Sequence, residues 1–182
     1  IGNADGSINS IMTSPDGISW TSRTSPVSNV WNAVTYGNGL FVAVGCGYSC
    51  GHQNSTMTSP DGIIWTAHTS TTNSTWSGIA YGNGLFVAVS TSGDDNRVMT
   101  SPDGFTWTIR RNTVDNQWTS TVYGNDTFVA IANDGTSDSV MTSTDPTLTA
   151  TSTQVTIVSR TPSTSDLSKI LVLRSDSEIS TT

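Results

Sequence analysis

Positive charge is scarce in this sequence. Its 182 residues hold seven Lys and Arg against fourteen Asp and Glu, a formal net charge of −7, and Lys169 is the only lysine. Binding to a phosphate backbone or an anionic membrane draws on clustered cations, and no basic stripe is present, so nucleic acid and anionic membrane are excluded as partners. No apolar run approaches the roughly 20 residues that carry a helix across a bilayer. Catalytic side chains are few: one glutamate (Glu178) and two histidines (His52 and His68). No nucleophile elbow, phosphate loop, HExxH or paired CxxC occurs, so the chain reads as a non-enzyme. Hydrophobic residues make up 34% of the chain, a low share. An initiator Met and a signal-like segment are also missing, and the expectation is a mature, processed form.

What is present is a repeat. Met-Thr-Ser-Pro-Asp-Gly-x-x-Trp occupies 12–20, 57–65 and 99–107, and a worn copy starts at Met141. The Met-to-Met spacings are 45, 42 and 42 residues. Trp20, Trp65 and Trp107 are each followed eleven residues later by Trp31, Trp76 and Trp118, and then at intervals of five by Tyr36, Tyr81 and Tyr123 and by Phe41, Phe86 and Phe128. Length varies only between the Phe and the next Met, which marks that segment as a loop. Large aromatic side chains recurring at fixed places can build a core despite a composition of which about a third is Ser and Thr.

Each unit predicts four strands, at 31–36, 40–44, 55–59 and 63–66 in the second copy. Alternation, β-branched residues and aromatics mark the strands, and Gly-Asn-Gly and Pro-Asp-Gly mark the turns. In the latter, Pro15 presets the first central residue of a type I turn. Asp16 accepts nearby backbone N–H groups, and Gly17 takes a left-handed conformation. Asp61 with Gly62 and Asp103 with Gly104 repeat the arrangement. Four strands per 40–45 residues is the blade length of a β-propeller. The expected fold is therefore all-β, a propeller-like array of about four four-stranded antiparallel blades.

Ser-Pro-Asp-Gly-x-x-Trp, at 14–20, 59–65 and 101–107, resembles the Asp-box (BNR-type) repeat of sialidase-like β-propellers, Ser/Thr-x-Asp-x-Gly-x-x-Trp, with one residue fewer between Asp and Gly. The resemblance implies a blade architecture in which the motif is a structural turn facing away from any ligand. A sialidase activity would further need an arginine cluster, a Tyr–Glu nucleophile pair and an acid/base aspartate. The six arginines fall at unrelated repeat positions, Glu178 lies outside the blades, and the tyrosines recur identically, as structural residues do.

The array is uneven at its ends. Residues 1–11 align with a variable loop, so the sequence opens inside the second strand of a first blade that holds only its third and fourth strands. At the other end Ser143-Thr-Asp-Pro replaces Ser-Pro-Asp-Gly, and Pro146 cannot adopt the left-handed angle of Gly17. Residues 1–146 are thus the propeller repeats and 147–182 a strand-rich tail with two runs of β-formers, 154–159 and 169–174. The tail is expected to complete the first blade, in the same molecule or in a neighbouring one. An independent small sheet is the alternative.

Cys46 and Cys50, in Cys-Gly-Tyr-Ser-Cys, predict a local disulfide and an extracellular or cell-surface setting. Free thiols and a metal site shared with His52 are the alternatives. Sequons stand at Asn54, Asn73 and Asn125 as candidate glycosylation sites. No metal site is assigned and no cofactor is expected, although acidic loops with Asp94, Asp95, Asp134 and Asp138 could take calcium. The six tryptophans Trp20, Trp65, Trp107, Trp31, Trp76 and Trp118 are expected to pack, the first three foremost, while the second three could instead stack on sugars. Tyr48, the least repeated aromatic, is the candidate glycan contact. The function these features suggest is a structural subunit of an extracellular fibre or surface assembly, a homo-polymer joined by its terminal strands. The alternative is a carbohydrate-binding adhesin or lectin-like module.

Overall fold

A computed structural model describes residues 11–46, 54–69, 74–94, 96–111, 114–134, 139–144 and 158–159. The chain is all-β and propeller-like. Strands β1 (Ile11–Thr13) and β2 (Thr21–Arg23) form a two-stranded sheet, the outer half of blade 1. Blade 2 is β3 (Trp31–Gly37), β4 (Leu40–Gly45), β5 (Asn54–Ser59) and β6 (Thr66–Thr69). Blade 3 is β7 (Trp76–Gly82), β8 (Leu85–Ser90), β9 (Val98–Ser101) and β10 (Thr108–Arg110), and blade 4 is β11 (Trp118–Gly124), β12 (Thr127–Ala132), β13 (Val140–Thr144) and β14 (Val158–Ser159). Among the described strands every ladder is antiparallel and joins neighbours in the blade, as short turns require.

In blades 2 and 3 the second strand is apolar on both faces because another sheet lies on each side of it. From Val42 to Val44 and from Phe86 to Val89 the chain is continuously buried. The cores lie between blades and share one recipe. Val42 and Val44 of blade 2 pack against Trp76, Phe86, Ala88 and Met99 of blade 3. Val87, Val89 and Val98 of blade 3 pack against Trp118, Phe128, Ala130 and Met141 of blade 4. Each blade thus has a trailing aliphatic face and a leading face of Trp, Phe, Ala and Met.

Three sequence expectations are corrected. The fourth strands begin after the motif tryptophan, at Thr66 rather than at residue 63. The reason is local: the amides of Ile63 and Ile64 are already held by the Asp61 carboxylate, 2.8 and 2.9 Å away, and cannot pair with β5. The order of the tryptophan sets is reversed. Trp31, Trp76 and Trp118 are the buried set, whereas Trp20 is 57% exposed and Trp65 and Trp107 are half-buried. That burial removes the indoles of Trp31, Trp76 and Trp118 from any sugar-stacking role. Of the tail, Val158–Ser159 pairs with β13 as the fourth strand of blade 4, and the rest of 147–182, with the run 169–174, lies outside the described residues.

Candidate functional site

The motif turns are built alike three times. In the first, Ser14 Oγ donates to Asp16 Oδ1 at 2.8 Å and accepts from Gly17 N–H at 2.8 Å. Asp16 Oδ1 accepts in addition from the amides of Ile18 and Ser19, each at 2.8 Å. Ser59 with Asp61 and Ser101 with Asp103 repeat this geometry. Gly17, Gly62 and Gly104 have φ of 74, 74 and 79°, where a Cβ is strained. The motif indole closes the turn: Trp20 Nε1 donates to Gly17 O at 3.2 Å, Trp65 to Gly62 O at 2.9 Å and Trp107 to Gly104 O at 3.2 Å. Periodicity alone did not reveal this second use of the tryptophan.

The donors stabilise the ionised carboxylates. The amides of Ser19 and Ile18, then the Ser14 hydroxyl, lower the pKa of Asp16 to about 2. For Asp61 the amides of Ile64 and Ile63 act in the same direction. At Asp103 burial pushes the pKa up, but the amides of Thr106 and Phe105 and the Ser101 hydroxyl outweigh it and bring it down to about 2. A carboxyl whose pKa is depressed by folding stabilises the fold above its unfolded value of 3.8, and that contribution is lost as the pH falls toward 2. Thermal midpoints followed by circular dichroism should therefore be flat from pH 7 to 5 and drop between pH 4 and 2. Replacing all three aspartates by Asn, which keeps one acceptor oxygen, should shrink the drop. An unchanged drop in that variant would show that other carboxylates cause it.

A groove of about 530 Å³ lies between the half-blade and blade 2, walled by Ile11, Trp20, Trp31, Phe41, Met57 and Trp65. It lies on the leading face of blade 2. At the same place on blade 3, Ile79 is buried and Tyr81 half-buried under blade 2. Their counterparts Val34 and Tyr36 are exposed. Among the described residues, blade 1 contributes Ile11 to the core on this side.

Glycines register the same asymmetry. A Cβ at Gly104 would sit 2.9 Å from Val42 of the preceding blade, and one at Gly82 would sit 2.0 Å from the Tyr123 ring of the following blade. At Gly17 and Gly124, the equivalent positions at the two ends of the arc, nothing lies within 4 Å. The leading end of blade 1 exposes Met12 and Trp20, and the trailing end of blade 4 exposes Val122, Ile131 and Val140.

Other candidate residues fall as follows. Cys46 is disulfide-bonded, and Cys50, the only other cysteine, lies outside the described residues, as do Tyr48, His52 and Asn73. Asn54 is half-buried at the start of β5, with its backbone carbonyl accepting from Asn29 Nδ2, and Asn125 is exposed in the β11–β12 turn with φ of 49°. Of the acidic loop residues, Asp134 accepts from the Gln117 amide at 2.8 Å and so ties the loop to the start of β11. Asp95 and Asp138 lie outside the described residues. Among the described residues no three His, Cys, Asp or Glu side chains gather as metal ligands. His68 contacts Thr58 Oγ1 at 2.8 Å and the edge of Phe105, and burial lowers its pKa.

No family model and no curated protein matches the chain. Among solved structures it is similar to YCF48 bound to D1 peptide, at 14% identity and a TM-score of 0.50, over 66% of this chain and 39% of that one. It is also similar to YCF48 from Cyanidioschyzon merolae, at 13% identity and a TM-score of 0.47, over 64% of this chain and 34% of that one. A third is the computationally designed Ika4 protein, at 12% identity and a TM-score of 0.45, over 67% of this chain and 69% of that one. The chain thus spans well under half the length of either YCF48 chain. At 14% identity and a TM-score of 0.50, the first of these similarities speaks to the propeller fold alone.

Proposed function

We propose that this chain is a non-enzymatic structural subunit of an extracellular or surface assembly, its copies joined head to tail through the open blade faces. The observation that carries the reading is complementarity. Met12, Gly17 and Trp20 stand where Met99, Gly104 and Trp107 meet blade 2, and Val122, Ile131 and Val140 stand where Ala80, Val89 and Val98 meet blade 4. They are two halves of a contact that the molecule already buries twice. A heterologous contact between two different faces propagates from copy to copy. The repeat is read as a non-catalytic Asp-box turn, and the disulfide at Cys46 suits an oxidising compartment.

Light scattering and electron microscopy of the purified chain test this. The expected result is a mass that grows with concentration, and filaments that Ile131→Asp suppresses without lowering the thermal midpoint. A single monomeric species across the concentration range would overturn it. Carbohydrate binding is the second reading, favoured by the exposed Trp20 indole beside the groove. Discrete monomers that bind a glycan array, and lose binding on Trp20→Ala, would select that reading instead.

A further inference from the structure

We infer that a cleft between blades 1 and 2, lined by Arg23, is a binding site for a small aromatic carboxylate. The inference goes beyond the assembly reading and does not depend on it. The cleft holds about 400 Å³, and its walls include Ser22, Arg23, Pro26, Ile63, Ile64 and Trp65. That is within the size range of small-molecule sites. The repeat positions its cation. Arg23, His68 and Arg110 each stand eleven residues after a motif Met, so two of the arginines are equivalent, contrary to the sequence expectation. Each side chain meets the hydroxyl of the Thr that follows that Met. Arg23 Nε donates to Thr13 Oγ1 at 2.9 Å, His68 Nε2 lies 2.8 Å from Thr58 Oγ1, and Arg110 Nε donates to Thr100 Oγ1 at 2.9 Å. The methyls of Thr13 and Thr58 face the next blade. A Cβ at Gly62 would meet that of Thr13 at 3.7 Å, and one at Gly104 would meet that of Thr58 at 3.7 Å. The seam between blades 1 and 2 and the seam between blades 2 and 3 are therefore built alike.

The two seams differ in two side chains. In the second seam the cation position is His68, whose neutral form burial favours, and Phe105 of blade 3 packs against it with ring centroids 5.1 Å apart and planes at 87°. In the first seam the cation position is an arginine, and Ile63 holds the repeat position of Phe105, six residues after the Met. The aryl ring of the second seam has no counterpart in the first, and the cleft opens there. Ile63 and Ile64 are exposed and, with Pro26, offer an apolar wall. Arg23 is half-buried, and among the described residues no carboxylate pairs with it. The bond from Nε to Thr13 fixes the guanidinium and leaves its terminal N–H groups for a ligand. Their fork matches the paired oxygens of a carboxylate. An aryl ring beside Ile63 and a carboxylate on Arg23 would together supply what the first seam lacks.

Calorimetric titration of the full chain tests this, with benzoate as the probe. Benzamide is its uncharged counterpart, and acetate is the carboxylate without a ring. Benzoate should bind saturably at a single site. Benzamide should bind about tenfold more weakly or worse, the loss of a charge-assisted pair. Acetate should also bind more weakly than benzoate, since it brings no ring to the apolar wall. Ile63→Phe, which restores the ring of the second seam, should abolish benzoate binding and keep the thermal midpoint. Arg23→Gln should weaken benzoate by about tenfold and leave benzamide unchanged. Arg110→Gln should leave both unchanged. No saturable binding of benzoate, benzamide or acetate binding as tight as benzoate, or benzoate binding that survives Ile63→Phe would overturn the inference.

Discussion

Trp76→Ala should remove a large share of the stability of this protein, whereas Trp20→Ala should remove little. Trp76 is 0% exposed and sits where blade 2 meets blade 3, among Val42, Val44, Phe86, Ala88 and Met99. Truncating a buried tryptophan loses its transfer free energy and leaves a cavity the rigid strands cannot close, at a cost of about 3–5 kcal/mol. Small domains are stable by only about 5–15 kcal/mol in total. Trp20 is mostly in solvent, with one hydrogen bond to Gly17 O, and its loss should cost no more than about 1 kcal/mol. Urea unfolding followed by circular dichroism, which does not depend on the missing indole, measures both. If Trp20→Ala proved the more damaging, the assignment of the two tryptophan sets to core and surface would be wrong.

That assignment could not be made from the sequence, and the reason is a β-bulge. The even spacing of Trp, Tyr and Phe gave away the blades, the turns and the variable loops. Both tryptophan sets recur with the same period, however, so periodicity cannot say which faces a neighbour. Simple alternation from Tyr36 back through Val34 places Trp31 on the opposite face. The pairing of β3 with β4 shifts register between Trp31 and Ala33, and β7 and β11 shift at the equivalent place. The extra residue returns the indole to the leading face. Asn and Ser side chains lock the neighbouring blades there: Asn32 Nδ2 donates to Trp76 O at 2.8 Å, and Ser77 Oγ donates to Trp118 O. Such contacts, 44 and 41 residues apart in sequence, carry no local signature. The groove had no signature of its own in the sequence. Its walls became identifiable once the inter-blade recipe was known.

Gly82→Ala and Gly37→Ala should each destabilise the protein by about 1–3 kcal/mol, the usual cost of forcing extra atoms into a packed core. Both glycines read in the sequence as turn residues, yet neither has a positive φ; the left-handed residues of the first turn are Asn38 and Gly39. Space is what requires glycine here. A Cβ at Gly37 would lie 2.0 Å from Cγ of Tyr81, and one at Gly82 the same distance from Cγ of Tyr123. Each ring lies against the backbone of the preceding blade. Neither can swing away freely, because each packs at a tilt against a ring of its own blade, Tyr81 against Phe86 with centroids 4.5 Å apart and Tyr123 against Phe128 at 4.6 Å. The effect must therefore belong to the pair. In a Tyr123→Ala background Gly82→Ala should become nearly neutral, a coupling on the order of 1 kcal/mol or more. Gly124→Ala, with open space around it, should change the stability of the monomer by less than about 0.5 kcal/mol. Equal losses at Gly82 and Gly124 would mean that backbone freedom, not the seating of a neighbouring ring, fixes glycine at the end of each inner strand.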